Sequence, residues 1–130
     1  MKKILIVEDS KSVVFILTSI LEDNGYEVLA AEDADTAVAL ANNESPDLIV
    51  LDINMPGGGL TVFRKLKDSD NTRLIPIIFA SGQSRDEIKG KMTPDMLDVP
   101  FLSKPFSMEN FVEAANGLIN THASIKKPGE

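Results

Sequence analysis

Five short apolar runs, each unbroken rather than alternating, constrain this chain most: residues 3–7, 27–31, 47–51, 76–80 and 99–103. The clearest are Ile4-Leu5-Ile6-Val7, Leu48-Ile49-Val50-Leu51 and Ile77-Ile78-Phe79-Ala80. A strand with one wet face alternates apolar and polar residues. A strand covered on both faces does not, and burial on both faces is the condition of parallel sheets. Helical patterns lie between the runs. Val13, Val14, Leu17, Ile20 and Leu21 mark one helix face, with Ser10 as N-cap and Gly25 as stop. Further helices are predicted over about 34–43, 60–69 and, weakly, 84–92. The last carries Met108, Phe111, Val112, Ala115, Leu118 and Ile119 behind the N-cap Ser107. Strand and helix alternate five times. That pattern is the signature of a doubly wound α/β fold: five parallel strands with helices on both faces.

The 130 residues suffice for one domain over 1–120, with a polar tail or linker stub over 121–130 that contains Lys126-Lys127-Pro128-Gly129. Lysine plus arginine is 13 and aspartate plus glutamate 20, so the net charge is −7 and the basic field of non-specific nucleic-acid binding is missing. Without cysteine there is no disulfide, thiolate metal site or cysteine nucleophile. The apolar start stops at Glu8-Asp9, short of a signal peptide, and no run approaches a membrane span. A cytoplasmic location is expected by elimination. His122, the only histidine, is expected to be exposed in the tail. Lys65 and Lys67 are placed on the wet face of the third helix, and Met92, Met96 and Met108 in the core.

In a doubly wound sheet, ligands bind outside the carboxyl ends of the strands. Glu8-Asp9 follows the first strand, Asp52 the third, Ser81-Gly82 the fourth and Lys104-Pro105 the fifth. Any one of these acids could merely cap a helix or stay solvated. The whole set at four of five strand ends points to a site. Three converging carboxylates repel one another unless a cation joins them, and an all-oxygen set suits Mg²⁺ or Mn²⁺. A carboxylate beside such an ion can attack a phosphoryl group, with Lys104 neutralising charge and the Ser81 hydroxyl donating to a phosphoryl oxygen.

The segments Ile4-Leu5-Ile6-Val7-Glu8-Asp9-Ser10, Asp52-Ile53-Asn54-Met55-Pro56, Pro76-Ile77-Ile78-Phe79-Ala80-Ser81-Gly82 and Phe101-Leu102-Ser103-Lys104-Pro105-Phe106 carry a resemblance. In this order and spacing, over residues 2–120, the chain resembles the receiver domain of two-component response regulators, the stand-alone chemotaxis-type regulator among them. The resemblance implies a flavodoxin-like sheet in the order 2-1-3-4-5. It implies that Asp52 is the phosphoacceptor, and that Glu8 and Asp9 hold Mg²⁺ (or Mn²⁺) with Asp52 and the backbone carbonyl of Asn54. Ser81 becomes the switch hydroxyl, Phe101 the aromatic rotamer switch and Lys104 the site lysine, with a cis bond to Pro105. Gly82 leaves the phosphoryl group accessible, and Asn54 and Gln83 modulate the approach of water. The implied partners are a histidine kinase or histidine phosphotransfer protein and a downstream protein target, with no direct contact to nucleic acid or membrane. A monomer or weak dimer is expected. Such a protein is a switch that promotes its own phosphotransfer and dephosphorylation rather than a turnover enzyme.

Two departures from the family pattern stand out. Gly59 falls seven residues past Asp52, where the pattern places the glycine eight past, so the Gly57-Gly58-Gly59 loop is one residue short. The usual Gly-Ala pair before the fifth strand is missing; Pro94 ends the fourth helix and Pro100 marks an edge strand, altering the face that often mediates dimerisation. Two alternatives share the architecture. A receiver-like protein-interaction scaffold, not regulated by phosphorylation, is one. A flavodoxin-like cofactor binder is the other, although Glu8-Asp9 would repel a flavin phosphate.

Overall fold

The unbroken apolar runs become strands whose alternate residues feed two separate cores. The computed structural model describes residues 1–55 and 57–125. Its strands are β1 (Lys3–Val7), β2 (Glu27–Ala31), β3 (Leu48–Asp52), β4 (Ile77–Ser81) and β5 (Phe101–Ser103). They form one parallel sheet in the order β2-β1-β3-β4-β5. The helices are α1 (Lys11–Asp23), α2 (Ala34–Glu44), α3 (Gly59–Lys67), α4 (Arg85–Ile88) and α5 (Met108–Ile125). Leu5, Val7, Ile49, Leu51, Ile77 and Phe79 point to one face and pack with Ala37, Ala41, Val62, Phe63 and Leu66 of α2 and α3. Ile4, Ile6, Leu48, Val50, Ile78 and Ala80 point to the other, against Leu17, Ile20 and Leu21 of α1 and Phe111, Ala115 and Ile119 of α5. Each such Leu, Ile or Phe side chain, fully buried, adds about 1.5–3 kcal/mol.

Every helix but α3, which follows Gly58, starts where a short polar side chain can accept from a free backbone N–H group. Ser10 Oγ accepts from Val13 N, Asp33 Oδ1 from Thr36 N, and Ser107 Oγ from Asn110 N. Between β3 and α3 the chain turns through Gly57 and Gly58, at φ 88° and 80°. A Cβ on Gly57 would lie 2.6 Å from Ala34 Cβ. Gly59 N then donates to Ile53 O, closing the loop at 3.0 Å.

Several expectations change. The fourth helix is a single turn, Arg85–Ile88, followed by 3-10 helices over Lys89–Lys91 and Pro94–Asp98. Gly90 and Pro94 remove the propensity and the N–H that a longer helix needs. β5 begins at Phe101 rather than 99, since Pro100 cannot donate to a ladder; Pro100 O still accepts from Phe79 N at 2.8 Å. α5 runs on to Ile125, because Thr121-His122-Ala123-Ser124 contains no helix breaker. Lys67 is not on a wet face: it is half-buried, its Nζ lies over the Phe63 ring and donates to Arg73 O, and burial lowers its pKa. Met96 is buried as expected, but Met108 is 60% exposed, at the first residue of α5 before the helix meets the sheet. Pro56, the His122 side chain and Lys126-Lys127 lie outside the described residues. Among the described residues, no helix is long and apolar enough to cross a membrane.

Candidate functional site

Sheet order places the site. From β1 the chain passes outward to β2 and then back across to β3, so the connections after β1 and β3 diverge and leave a crevice at their carboxyl ends. Glu8 and Asp9 leave β1 there, and Asp52 ends β3. One carboxylate oxygen from each lies within 4.8 Å of the other two. Glu8 and Asp52 are buried, at 4% and 5% exposure, whereas Asp9 is exposed. Buried like charges are costly unless cations or donors face them. Lys104 supplies part of this: its Nζ lies 2.5 Å from Glu8 Oε1 and 3.7 Å from Asp52 Oδ2. Backbone donors supply more, Ser10 N to Glu8 Oε2 at 3.1 Å and Asn54 N to Asp52 Oδ1 at 3.1 Å.

β4 and β5 complete the rim. Ser81 is fully buried at the end of β4, and its Oγ accepts from Asn54 Nδ2 at 3.2 Å and from Gln83 N at 3.0 Å. Lys104 N donates to Ser81 O at 2.7 Å, which fixes the lysine beside the serine, and the Lys104–Pro105 bond is cis. Glu8, Asp9, Asp52, Asn54, Ser81, Gln83 and Lys104 thus meet in one place. Gly82 adjoins it, and a Cβ there would meet nothing within 4 Å. Phe101 stands apart, half-buried at the start of β5 beside Phe79, its register partner in β4. Asp33, two residues past β2, serves a different role: it caps α2, and the N–H of Thr36 holds its carboxyl below the usual range.

The profile of the response regulator receiver domain matches residues 4–116, and these include every site residue above. The chain belongs to this family, the receiver domains of two-component signalling. It is similar to the protein PilH of Pseudomonas aeruginosa, 36% identical over 122 residues, covering 92% of this chain and 98% of PilH. It is 37% identical over 114 residues to the phosphate regulon transcriptional regulatory protein PhoB of Escherichia coli, covering 85% of this chain but only 48% of PhoB. This receiver therefore spans about half the length of PhoB and nearly all of PilH. In fold it matches the receiver domain of the sensor histidine kinase PA1611 from Pseudomonas aeruginosa, whose crystal structure has a magnesium ion coordinated in the active-site cleft. That match has TM-score 0.82 and 24% identity, covering 92% of this chain and 98% of that one.

Nothing in the sequence singles out Arg85. The receiver places its guanidinium over the Phe101 ring, and no local motif announces a contact between residues sixteen apart across an irregular segment. Arg64, likewise unforeseen, donates to Thr93 Oγ1 at 2.9 Å and pairs with Asp95 at 3.0 Å. The Thr93 hydroxyl and then this guanidinium hold the Asp95 carboxyl below the usual range.

Proposed function

We propose that this receiver takes a phosphoryl group on Asp52 from a phosphohistidine of a histidine kinase or phosphotransfer protein and, in doing so, changes a protein-binding surface. The observation that carries the reading is the meeting of three carboxylates from two strand ends with one lysine and one buried hydroxyl. Asp52 Oδ would attack phosphorus as the donor's P–N bond breaks, the electron pair leaving on the imidazole nitrogen, which then takes a proton. Glu8, Asp9, Asp52 and the Asn54 carbonyl form the hard oxygen set that would hold Mg²⁺. When bound, that ion supplies charge neutralisation at the transferred group and relieves the repulsion among the acids. The PA1611 receiver, of the same fold, holds magnesium in its cleft, which supports this assignment.

The chain's own groups divide the remaining work. Lys104, between Glu8 and Asp52, offers its ammonium to a new phosphoryl oxygen. Ser81 Oγ exchanges its present contacts for an O–H donated to that group. The phosphoryl group brings about −1.5 to −2 charge and new acceptors to a site built to respond to charge. Asn54 and Gln83, which both donate to the Ser81 hydroxyl, would govern the approach of water to the acyl phosphate. The protein acts as a switch with self-catalysed phosphotransfer and dephosphorylation rather than as a turnover enzyme. Beside the site, Val13, Ile16, Leu17, Pro105 and Phe106 line an apolar hollow of about 360 Å³ next to Lys104. Phe15 and Ile16 are 73% and 54% exposed, a ledge on which the phosphodonor protein would land.

The test is mass spectrometry after incubation with acetyl phosphate and Mg²⁺. One phosphoryl group should be added to the native protein, and none to Asp52→Asn or in the absence of Mg²⁺. An unchanged mass for the native protein would favour the scaffold alternative.

A further inference from the structure

The irregular segment that replaces the rest of the fourth helix is tied down by one side chain. Arg85 Nη1 donates to Leu97 O at 2.8 Å and its Nη2 to Val99 O at 2.8 Å. The guanidinium carbon of Arg85 also stands 5.4 Å from the centroid of the Phe101 ring. Two parallel N–H donors on a planar fork suit two carbonyls two residues apart, and the flat face of the same group suits a ring; an ammonium offers neither.

The amino-terminal side of Arg85 is equally well tied. Ser84 Oγ accepts from Glu87 N, and Ser84 N donates to Glu87 Oε1, so residues 84–87 form a closed capping box with Arg85 inside it. Only Gly82 and Gln83 separate that box from Ser81, and Gln83 N already donates to Ser81 Oγ at 3.0 Å. A change in the contacts of Ser81 therefore has a short mechanical route. Gln83 N–H loses or keeps its acceptor, the capped turn moves as a unit, and the fork carries the 97–99 backbone and the face of Phe101 with it.

We infer that Arg85 is a positioning residue that couples the occupancy of Asp52 to the Phe101 ring and to the backbone entering β5. This rests on the reading of Asp52 as phosphoacceptor with Ser81 responding to it. Arg85 does not touch the carboxylates, so its loss leaves phosphoryl transfer intact and disconnects the output end of the domain. Arg64 holds the same segment nearer its start, at Thr93 and Asp95, makes no hydrogen bond or cation–π contact with Phe101 among the described residues, and serves here as a comparison.

The test uses the full chain labelled with 4-fluorophenylalanine. Six resonances arise from the six phenylalanines, and Phe101→Leu assigns one of them. Acetyl phosphate with Mg²⁺ supplies the phosphoryl group, and mass spectrometry confirms its addition in each sample. In the native protein the Phe101 resonance should move on phosphorylation. In Arg85→Met the added mass should be retained while at least half of that displacement is lost. Arg85→Lys, which loses the fork but keeps a cation that can sit over the ring, should fall between the two, and Arg64→Met should match the native protein. Should Arg85→Met fail to fold, Arg85→Lys against Arg64→Met decides. A full displacement in the folded Arg85 variants overturns the proposal, as does a native Phe101 resonance that ignores phosphorylation. A native protein that gains no mass sinks the reading of Asp52 itself, and this proposal with it.

Discussion

One added methyl group should move stability in opposite directions at two glycines of this receiver. Gly59 opens α3 and Gly117 lies within α5. Helix propensity alone favours alanine over glycine by up to about 1 kcal/mol at each. At Gly117 nothing lies within 4 Å of the new Cβ, so the gain is unopposed. At Gly59 the Cβ would stand 2.2 Å from Asp52 O, 2.7 Å from Ile53 Cα and 2.9 Å from the Asp52 carbonyl carbon. These are backbone atoms at the end of β3, and they cannot rotate aside as a side chain can. Forcing atoms into a close-packed site costs about 1–3 kcal/mol, and contacts this short belong at the top of that range. The net expectation is a loss of about 2 kcal/mol for Gly59→Ala and a gain of about 1 kcal/mol for Gly117→Ala. Urea unfolding followed by circular dichroism reads both as midpoint shifts at constant slope. A Gly59→Ala protein as stable as the native one would refute the steric reasoning, and with it the claim that the Gly57-Gly58-Gly59 loop is held against the end of β3.

The crowding of acids gives a second prediction. Asp9→Asn should stabilise the metal-free protein by about 1 kcal/mol at low ionic strength, the scale of two unit charges about 5 Å apart near water. On the proposed Mg²⁺ site, millimolar Mg²⁺ should raise the melting temperature of the native protein and Asp9→Asn should lose most of that rise; calorimetry with and without Mg²⁺ checks both. The third concerns Asp95, whose carboxyl is held below its ordinary value first by the Thr93 hydroxyl and then by Arg64. A lowered folded-state pKa means that the unfolded chain binds more protons, so the contribution is present above the ordinary range and fades as the pH falls through the folded value. Thr93→Val should therefore be less stable than the native protein at neutral pH. The gap should narrow as the pH drops below about 3.9, the ordinary Asp value; urea melts across that range measure it, and a gap that stays constant counts against the assignment.

Much of this receiver is legible along the chain, because the features involved are local or periodic. Unbroken runs such as Leu48-Ile49-Val50-Leu51 announce strands buried on both faces, and each strand's end can be read off the first polar residue after it. In a doubly wound sheet those ends share one rim, so chain order alone brings Glu8, Asp9, Asp52, Ser81 and Lys104 together. Capping obeys the same locality, and Ser10 and Ser107 act where their spacing says they should.

What the chain order conceals are meetings across irregular backbone. Lys67 reads as a solvated lysine, yet Phe63 lies one turn behind it and Arg73 O lies beyond the helix end, and both draw it inward. Arg85 reads as an ordinary surface residue, because its partners exist only once the segment around Pro94 folds into short 3-10 turns and presents the carbonyls of Leu97 and Val99. Periodicity records which face a residue occupies; it holds no information about where an unpatterned stretch will aim its free carbonyls. Only the packed structure settles that, since those groups take whichever donors the surrounding core leaves within reach.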